Sequence, residues 1–159
     1  MVDAPHMRWL ELKLPPPLVW LLCAGLAWAL ARSAPTLALP WPGRLPLAAL
    51  LVLLGGASGA SGILAFRAAR TTVDPHAPEK ARALVRGGPY RFTRNPMYLG
   101  LLLMLLAVCT WLSNPLTLVA PVLLVGWLSR FQIQPEERIL LEKFGAPYAE
   151  YLHATRRWL

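Results

Sequence analysis

Charge is what this sequence has least of. Asp, Glu, Lys and Arg make up 15% of its 159 residues, against about 25% in ordinary soluble domains, and the shortage argues against a cytosolic globular protein. Acids are scarcer still: eight, against sixteen Lys and Arg, for a net charge of +8. An excess of that sign suits nucleic acid or an anionic membrane surface, and the placement of the charges decides between them. Cysteine is nearly absent. Cys23 and Cys109 both lie inside apolar runs, where a free thiol behaves as a small hydrophobe. That argues against a disulfide framework and against a metal site, so no metal is expected.

What the chain has instead is long apolar stretches, 56% of its residues being hydrophobic. A helix needs roughly 20 residues to cross about 30 Å of hydrocarbon. Residues 46–66 carry no charge and are bounded by Arg44 and Arg67, which predicts a spanning helix. Residues 14–31 predict another, with Pro15, Pro16 and Pro17 in its opening turn. Residues 97–131 hold one charge, Arg130, and Ser113-Asn114-Pro115 divides them into a helical hairpin, 97–112 and 115–131. A soluble four-helix bundle would need a recurring polar face, and Leu99 to Leu112 has almost none. A cleaved signal peptide fits poorly too, since mixed charge and prolines precede the first run without a small-residue cleavage pattern.

The charges support this all-α, polytopic reading. With four spans, both termini and the middle loop share one side, which holds fourteen basic residues, while the other side holds Arg32 and Arg44. Short cytoplasmic loops carry such an excess, so both termini are expected in the cytoplasm, with the chain in a bacterial-type inner membrane. The membrane accounts for the basic composition, and no nucleic acid is expected as a partner. Within the second span, Gly55, Gly59 and Ser58, Gly62 recur at four-residue spacing. That stripe lets another helix approach closely and offers a face for a homo-oligomer; it lacks the Lys of a phosphate-binding loop.

Two polar segments remain, both on the basic side: Arg67 to Asn95, and the C-terminal segment 132–159. In the first, Gly87-Gly88-Pro89 predicts a turn before a helix that starts at or just after Pro96. In the second, Pro135-Glu136-Glu137 reads as a helix start. Gly145 ends that helix, and Pro147-Tyr148 opens another. Both helices are expected to lie amphipathically along the cytoplasmic surface, with Trp158 and the Arg156-Arg157 pair at headgroup level.

The string GPYRFTRNPMYLG, followed about forty residues later by PEERILLEKFGAPYAEYLHATRRWL, resembles the membrane-embedded methyltransferase superfamily that includes isoprenylcysteine carboxyl methyltransferases and phospholipid methyltransferases. The resemblance runs from about Thr71 to Leu159. It implies one integral-membrane S-adenosylmethionine-dependent methyltransferase domain over 1–159, whose last two spans and C-terminal segment enclose the cofactor and which takes a lipophilic or small acceptor from the bilayer. It carries the cofactor site to Leu84, Val85, Tyr90, Asn95, Pro96, Met97, Tyr98 and Glu136, with Glu137 as competitor and His76 near the cofactor. Arg94 and Arg130 are the candidates for orienting an anionic acceptor, since a guanidinium can grip a carboxylate or phosphate with two hydrogen bonds. Arg130 is the stronger of the two; its alternative is snorkelling to the membrane boundary.

Two departures weaken the case for a prenylcysteine acceptor. Isoprenylcysteine enzymes usually have His where Asn95 stands, and Arg a few residues before the paired acids, where this chain has Gln132. Two other readings remain. A membrane reductase of related architecture would use NADPH, but no dinucleotide fingerprint is present. A non-enzymatic assembly or regulatory protein would act through the glycine stripe.

Overall fold

The computed structural model describes residues 9–71 and 78–159, and among them the regular structure is entirely helical. Helix α1 is Pro16–Ser33, α2 Arg44–Ala68, α3 Pro96–Leu112 and α4 Val119–Trp127; α5, Gln134–Phe144, and α6, Ala146–Ala154, complete the chain. Pro16 and Pro17 occupy the first turn of α1 and Pro96 that of α3, where a missing N–H costs no helical hydrogen bond.

Glycine sets how closely α2 and α3 meet. A Cβ on Gly100 would lie 2.6 Å from the Gly55 carbonyl oxygen and 3.0 Å from the Gly59 nitrogen; one on Gly62 would lie 2.9 Å from Met97 Cγ. Gly55 meets Gly100 and Gly62 meets Met97, so the two helices run antiparallel. The Ser58 hydroxyl adds a 2.7 Å hydrogen bond to the Pro96 carbonyl. The glycine face that the sequence offers for self-association is therefore occupied by α3 of the same chain.

Helix α1 lays Val19, Cys23 and Ala27, one stripe at i, i+4, i+8, against α3 and α4, where Leu105, Cys109, Ala120, Leu124 and Leu128 complete the core. Both cysteines are free and buried. Asn114 closes the end away from the polar segments: its Nδ2 donates to the Ala34 carbonyl and its Oδ1 caps Leu116 N. The remaining surface is widely apolar, with Leu22, Leu53, Leu64, Trp28, Trp111 and Val122 all exposed. A patch of that extent needs an apolar solvent. Three helical runs are long and apolar enough to cross a membrane, Pro16–Ser33, Arg44–Ala68 and Pro115–Phe144, and α3 is a shorter apolar helix.

The fourth run departs from the sequence expectation. Residues 115–144 form one continuous helical path, without the break expected at 131–132, and widen to π geometry over Leu128–Ile133. Pro135 explains the widening. It has no N–H to give the Phe131 carbonyl one turn earlier, and its ring would crowd that carbonyl in a regular helix. Phe131 O instead accepts the Leu12 N–H at 3.0 Å.

Candidate functional site

Three pieces of chain meet at the polar end of the bundle. They are the irregular segment 78–95 with the first turns of α3, the π turn with α5, and α6 with the C-terminal tail. Tyr151 on α6 donates from its hydroxyl to the Tyr90 carbonyl at 2.8 Å, and Phe66 at the end of α2 meets the Tyr90 ring edge-on, centroids 5.2 Å apart. The tail then crosses the turn before α3. Arg94 N donates to Arg156 O, while the Thr93 hydroxyl and Asn95 Nδ2 both donate to Arg157 O.

These pieces enclose a cavity. Phe66, Leu84, Val85, Met97, Leu140 and Phe144 give it apolar walls, and Tyr90, Arg94, Asn95, Tyr98, Glu136, Glu137, Tyr148 and Tyr151 bring polar atoms to it. Tyr98 donates to Glu136 Oε1 at 2.5 Å, and Gln132 Nε2 donates to the same oxygen at 2.7 Å. Both donors are neutral, so the Glu136 carboxyl is hydrogen-bonded without a cation among these contacts. Glu137 differs. Its Oε1 lies 3.0 Å from Arg94 Nη2 and its Oε2 lies 2.6 Å from Arg157 Nη2. The two acids that the sequence left as competitors thus divide: Glu137 is held between two arginines, and Glu136 sits on a tyrosine and an amide.

Two polar atoms on the cavity lining are buried without a partner among the described residues, the Tyr90 hydroxyl and Arg94 Nε. A buried group left unsatisfied costs about 1–3 kcal/mol. Arg94 otherwise spends its donors on Glu137 and on the Leu152 carbonyl at 2.8 Å. Burial pushes the Tyr90 and Tyr148 hydroxyls well above the usual phenol range. It lifts Tyr151 to about 12, against the pull of the Arg94 and Arg86 charges. All three stay protonated at neutral pH and can donate.

Of the residues expected at the site, Leu84, Val85, Tyr90, Arg94, Asn95, Met97, Tyr98, Glu136 and Glu137 all line this one cavity. Pro96 is buried beside them, packed toward Gly62. Arg130 is not on the lining: its Nη1 bonds Glu11 Oε1 at 2.9 Å and its guanidinium lies 5.4 Å from the Phe131 ring centroid. His76 falls outside the described residues. The apolar face of α6 and the C-terminal tail pack into the protein. Tyr148 and Tyr151 are buried in the cavity wall, Arg157 pairs with Glu137, and Trp158 Nε1 donates to Ser129 Oγ at 3.2 Å. The sequence reading missed Phe66, Leu140, Phe144, Tyr148 and Tyr151 as lining residues. The spacing of Tyr148 and Tyr151, one helical turn apart, was their only signal, and it served equally well for a membrane-surface stripe.

Residues 44–147 match the phospholipid methyltransferase family. An uncharacterized protein of Haemophilus influenzae is 44% identical over 63 residues, which cover 40% of this chain and the whole of that protein. The protein-S-isoprenylcysteine O-methyltransferase of Saccharomyces cerevisiae is 36% identical over 73 residues, 46% of this chain but only 30% of the yeast enzyme. No solved structure matches the chain.

Proposed function

Because the chain belongs to the phospholipid methyltransferase family, a family of membrane methyltransferases, we propose that its cavity holds S-adenosylmethionine and that the protein methylates a lipophilic or small acceptor reached from the bilayer. The observation that carries this reading is the Tyr98–Glu136 hydrogen bond, 2.5 Å long, which ties the two motif-bearing segments together inside a cavity with two unsatisfied polar atoms. The chemistry of the lining fits the cofactor. Phe66, Leu84, Val85 and Phe144 suit an adenine, the carboxylates suit its cationic groups, and the Tyr90 hydroxyl and Arg94 Nε suit its carboxylate.

When bound, S-adenosylmethionine supplies a methyl group already activated by the sulfonium. The protein's own contribution is to align the acceptor and keep water out, since a geometry near van der Waals contact accounts for most of what such a displacement needs. Glu136, Tyr98 and Gln132 form a polar edge, and Tyr148 and Tyr151 of α6 add to the wall. An acceptor of low pKa needs no base here, whereas an amine must arrive unprotonated.

The reading further takes all four helical runs as spans, with both termini and the cavity on the cytoplasmic side of an inner membrane, the whole forming one methyltransferase domain. Calorimetric titration of detergent-purified protein with S-adenosylmethionine tests it: saturable binding is expected, and a folded protein that binds none overturns it. Mass spectrometry of a membrane lipid extract incubated with the protein and an isotopically labelled methyl donor identifies the acceptor class.

A further inference from the structure

The cavity's polar edge depends on a helix that is broken in its hydrogen bonding but not in its path, and something must hold that path. Gln132 lies in the π turn and Glu136 lies just past Pro135, so their 2.7 Å contact spans the irregularity. A widened turn around a proline has fewer helical bonds to fix its angle than a regular helix.

Three contacts from the start of the chain bridge the same place. Leu12 N–H donates to the carbonyl freed by Pro135, that of Phe131. The Glu11 carboxylate takes Arg130 Nη1 at 2.9 Å on one oxygen and Arg138 Nη2 at 2.6 Å on the other. Arg130 precedes the proline and Arg138 follows it. One carboxylate therefore clamps both sides of the irregular turn. The Glu11 side chain is only 8% exposed, whereas that of Arg138 is 44% exposed, so the acid is the shielded member on which the cations converge. Leu12 itself adopts φ +58°, a left-handed conformation that costs a branched side chain energy and persists where surrounding contacts enforce it. The segment also lies outside residues 44–147 that match the family.

We propose that Glu11 is a positioning residue for the cavity: through Arg130 and Arg138 it fixes the π turn so that Gln132 and Glu136 present one polar edge. This gives Arg130 a role other than meeting the acceptor. The inference rests on the cavity's being the S-adenosylmethionine site, and its test separates the two.

The full-length protein, Glu11→Gln, Arg138→Gln and the double variant are titrated with S-adenosylmethionine and followed by hydrogen exchange. Each single variant is expected to weaken binding by about tenfold, and the double variant by no more than the weaker-binding single, because one clamp cannot be lost twice. Faster exchange is expected within residues 128–138, with α2 and α3 unchanged. A merely structural role would instead speed exchange through α2 and α3 as well and leave the folded fraction's affinity intact; that result, or wild-type affinity in both single variants, overturns the proposal. If the wild-type protein binds no S-adenosylmethionine, the cofactor reading fails and exchange alone decides: acceleration confined to 128–138 upholds the clamp, and unchanged exchange there removes it. Arg138→Gln, altering the more exposed partner, serves if Glu11→Gln fails to fold.

Discussion

At the scale of single residues, Tyr98, Gln132 and Glu136 form one hydrogen-bonded unit on the cavity edge. Glu136→Gln keeps the shape but replaces one carboxyl oxygen that would face the cofactor's cations with an amide NH2, and a buried polar group left without its partner costs about 1–3 kcal/mol. Binding of S-adenosylmethionine is expected to fall by about tenfold or more, read by calorimetry. Tyr98→Phe leaves Glu136 with Gln132 alone among these donors and is expected to cost somewhat less, about three- to tenfold. Glu11 has its own signature in pH. Burial raises its pKa, but the hydrogen bonds and charges of Arg130 and Arg138 outweigh this and hold it below 4.5. A carboxyl with a depressed folded pKa adds stability that is complete above its unfolded value and lost as pH falls through the folded one. The Tm advantage of wild type over Glu11→Gln should therefore be full at neutral pH and shrink as the solution is acidified below about 4.5. A Tm difference that stays constant down to pH 3 would contradict the ion pairing.

Among the elements, the α2–α3 contact is the one that tolerates least. A Cβ at Gly100 would meet backbone atoms of Gly55 and Gly59, which cannot rotate away, so Gly100→Ala must push the helices apart at a cost of about 1–3 kcal/mol. Gly126→Ala, where an added Cβ meets nothing within 4 Å, is the matched control and should be neutral or slightly stabilising. Thermal unfolding in detergent distinguishes the two. How far such elements were readable from sequence follows from the range of the forces that shape them. The glycine spacing of α2 is local and announced a close helix contact, but which helix fills it depends on Gly100, beyond the reach of any window. Pro135 followed by two acids reads as a helix start because those residues do begin helices. That the preceding helix runs through it depends on Leu12 supplying the missing donor from the other end of the chain. The cavity's two motif segments were legible as the polar stretches left over by the apolar runs. Tyr148 and Tyr151 were not, because a stripe on a short helix has the same pattern whether it faces lipid or a cavity wall.

For the whole molecule, the open matter is whether α3 crosses the bilayer. At 17 residues it is about 25 Å long, a few ångströms under the hydrocarbon thickness, a mismatch that bilayer thinning absorbs at modest cost. Its surroundings argue that it crosses. It runs antiparallel to α2 along the Gly55–Gly100 and Gly62–Met97 contacts. Its far end is joined to the end of α1 by Asn114 and the Ala34 carbonyl, so it covers the same depth as the longer helices. The basic residues agree, with Arg32 and Arg44 alone at that end among the described residues. Three spans and four make opposite predictions about the loop after α1 and the C-terminal helix. With four, Leu39 and Glu150 lie on opposite sides; with three, they share a side. Both positions are exposed, and the native cysteines are buried, so single cysteines at Leu39→Cys and Glu150→Cys can be read with a membrane-impermeant maleimide. In intact spheroplasts Leu39→Cys should label and Glu150→Cys should not, and inverted vesicles should reverse the pattern. Labelling of both from one side would mean that α3 does not cross, and the two polar segments that together line the cavity would then lie on opposite sides of the membrane, which the Tyr151–Tyr90 and Asn95–Arg157 contacts forbid.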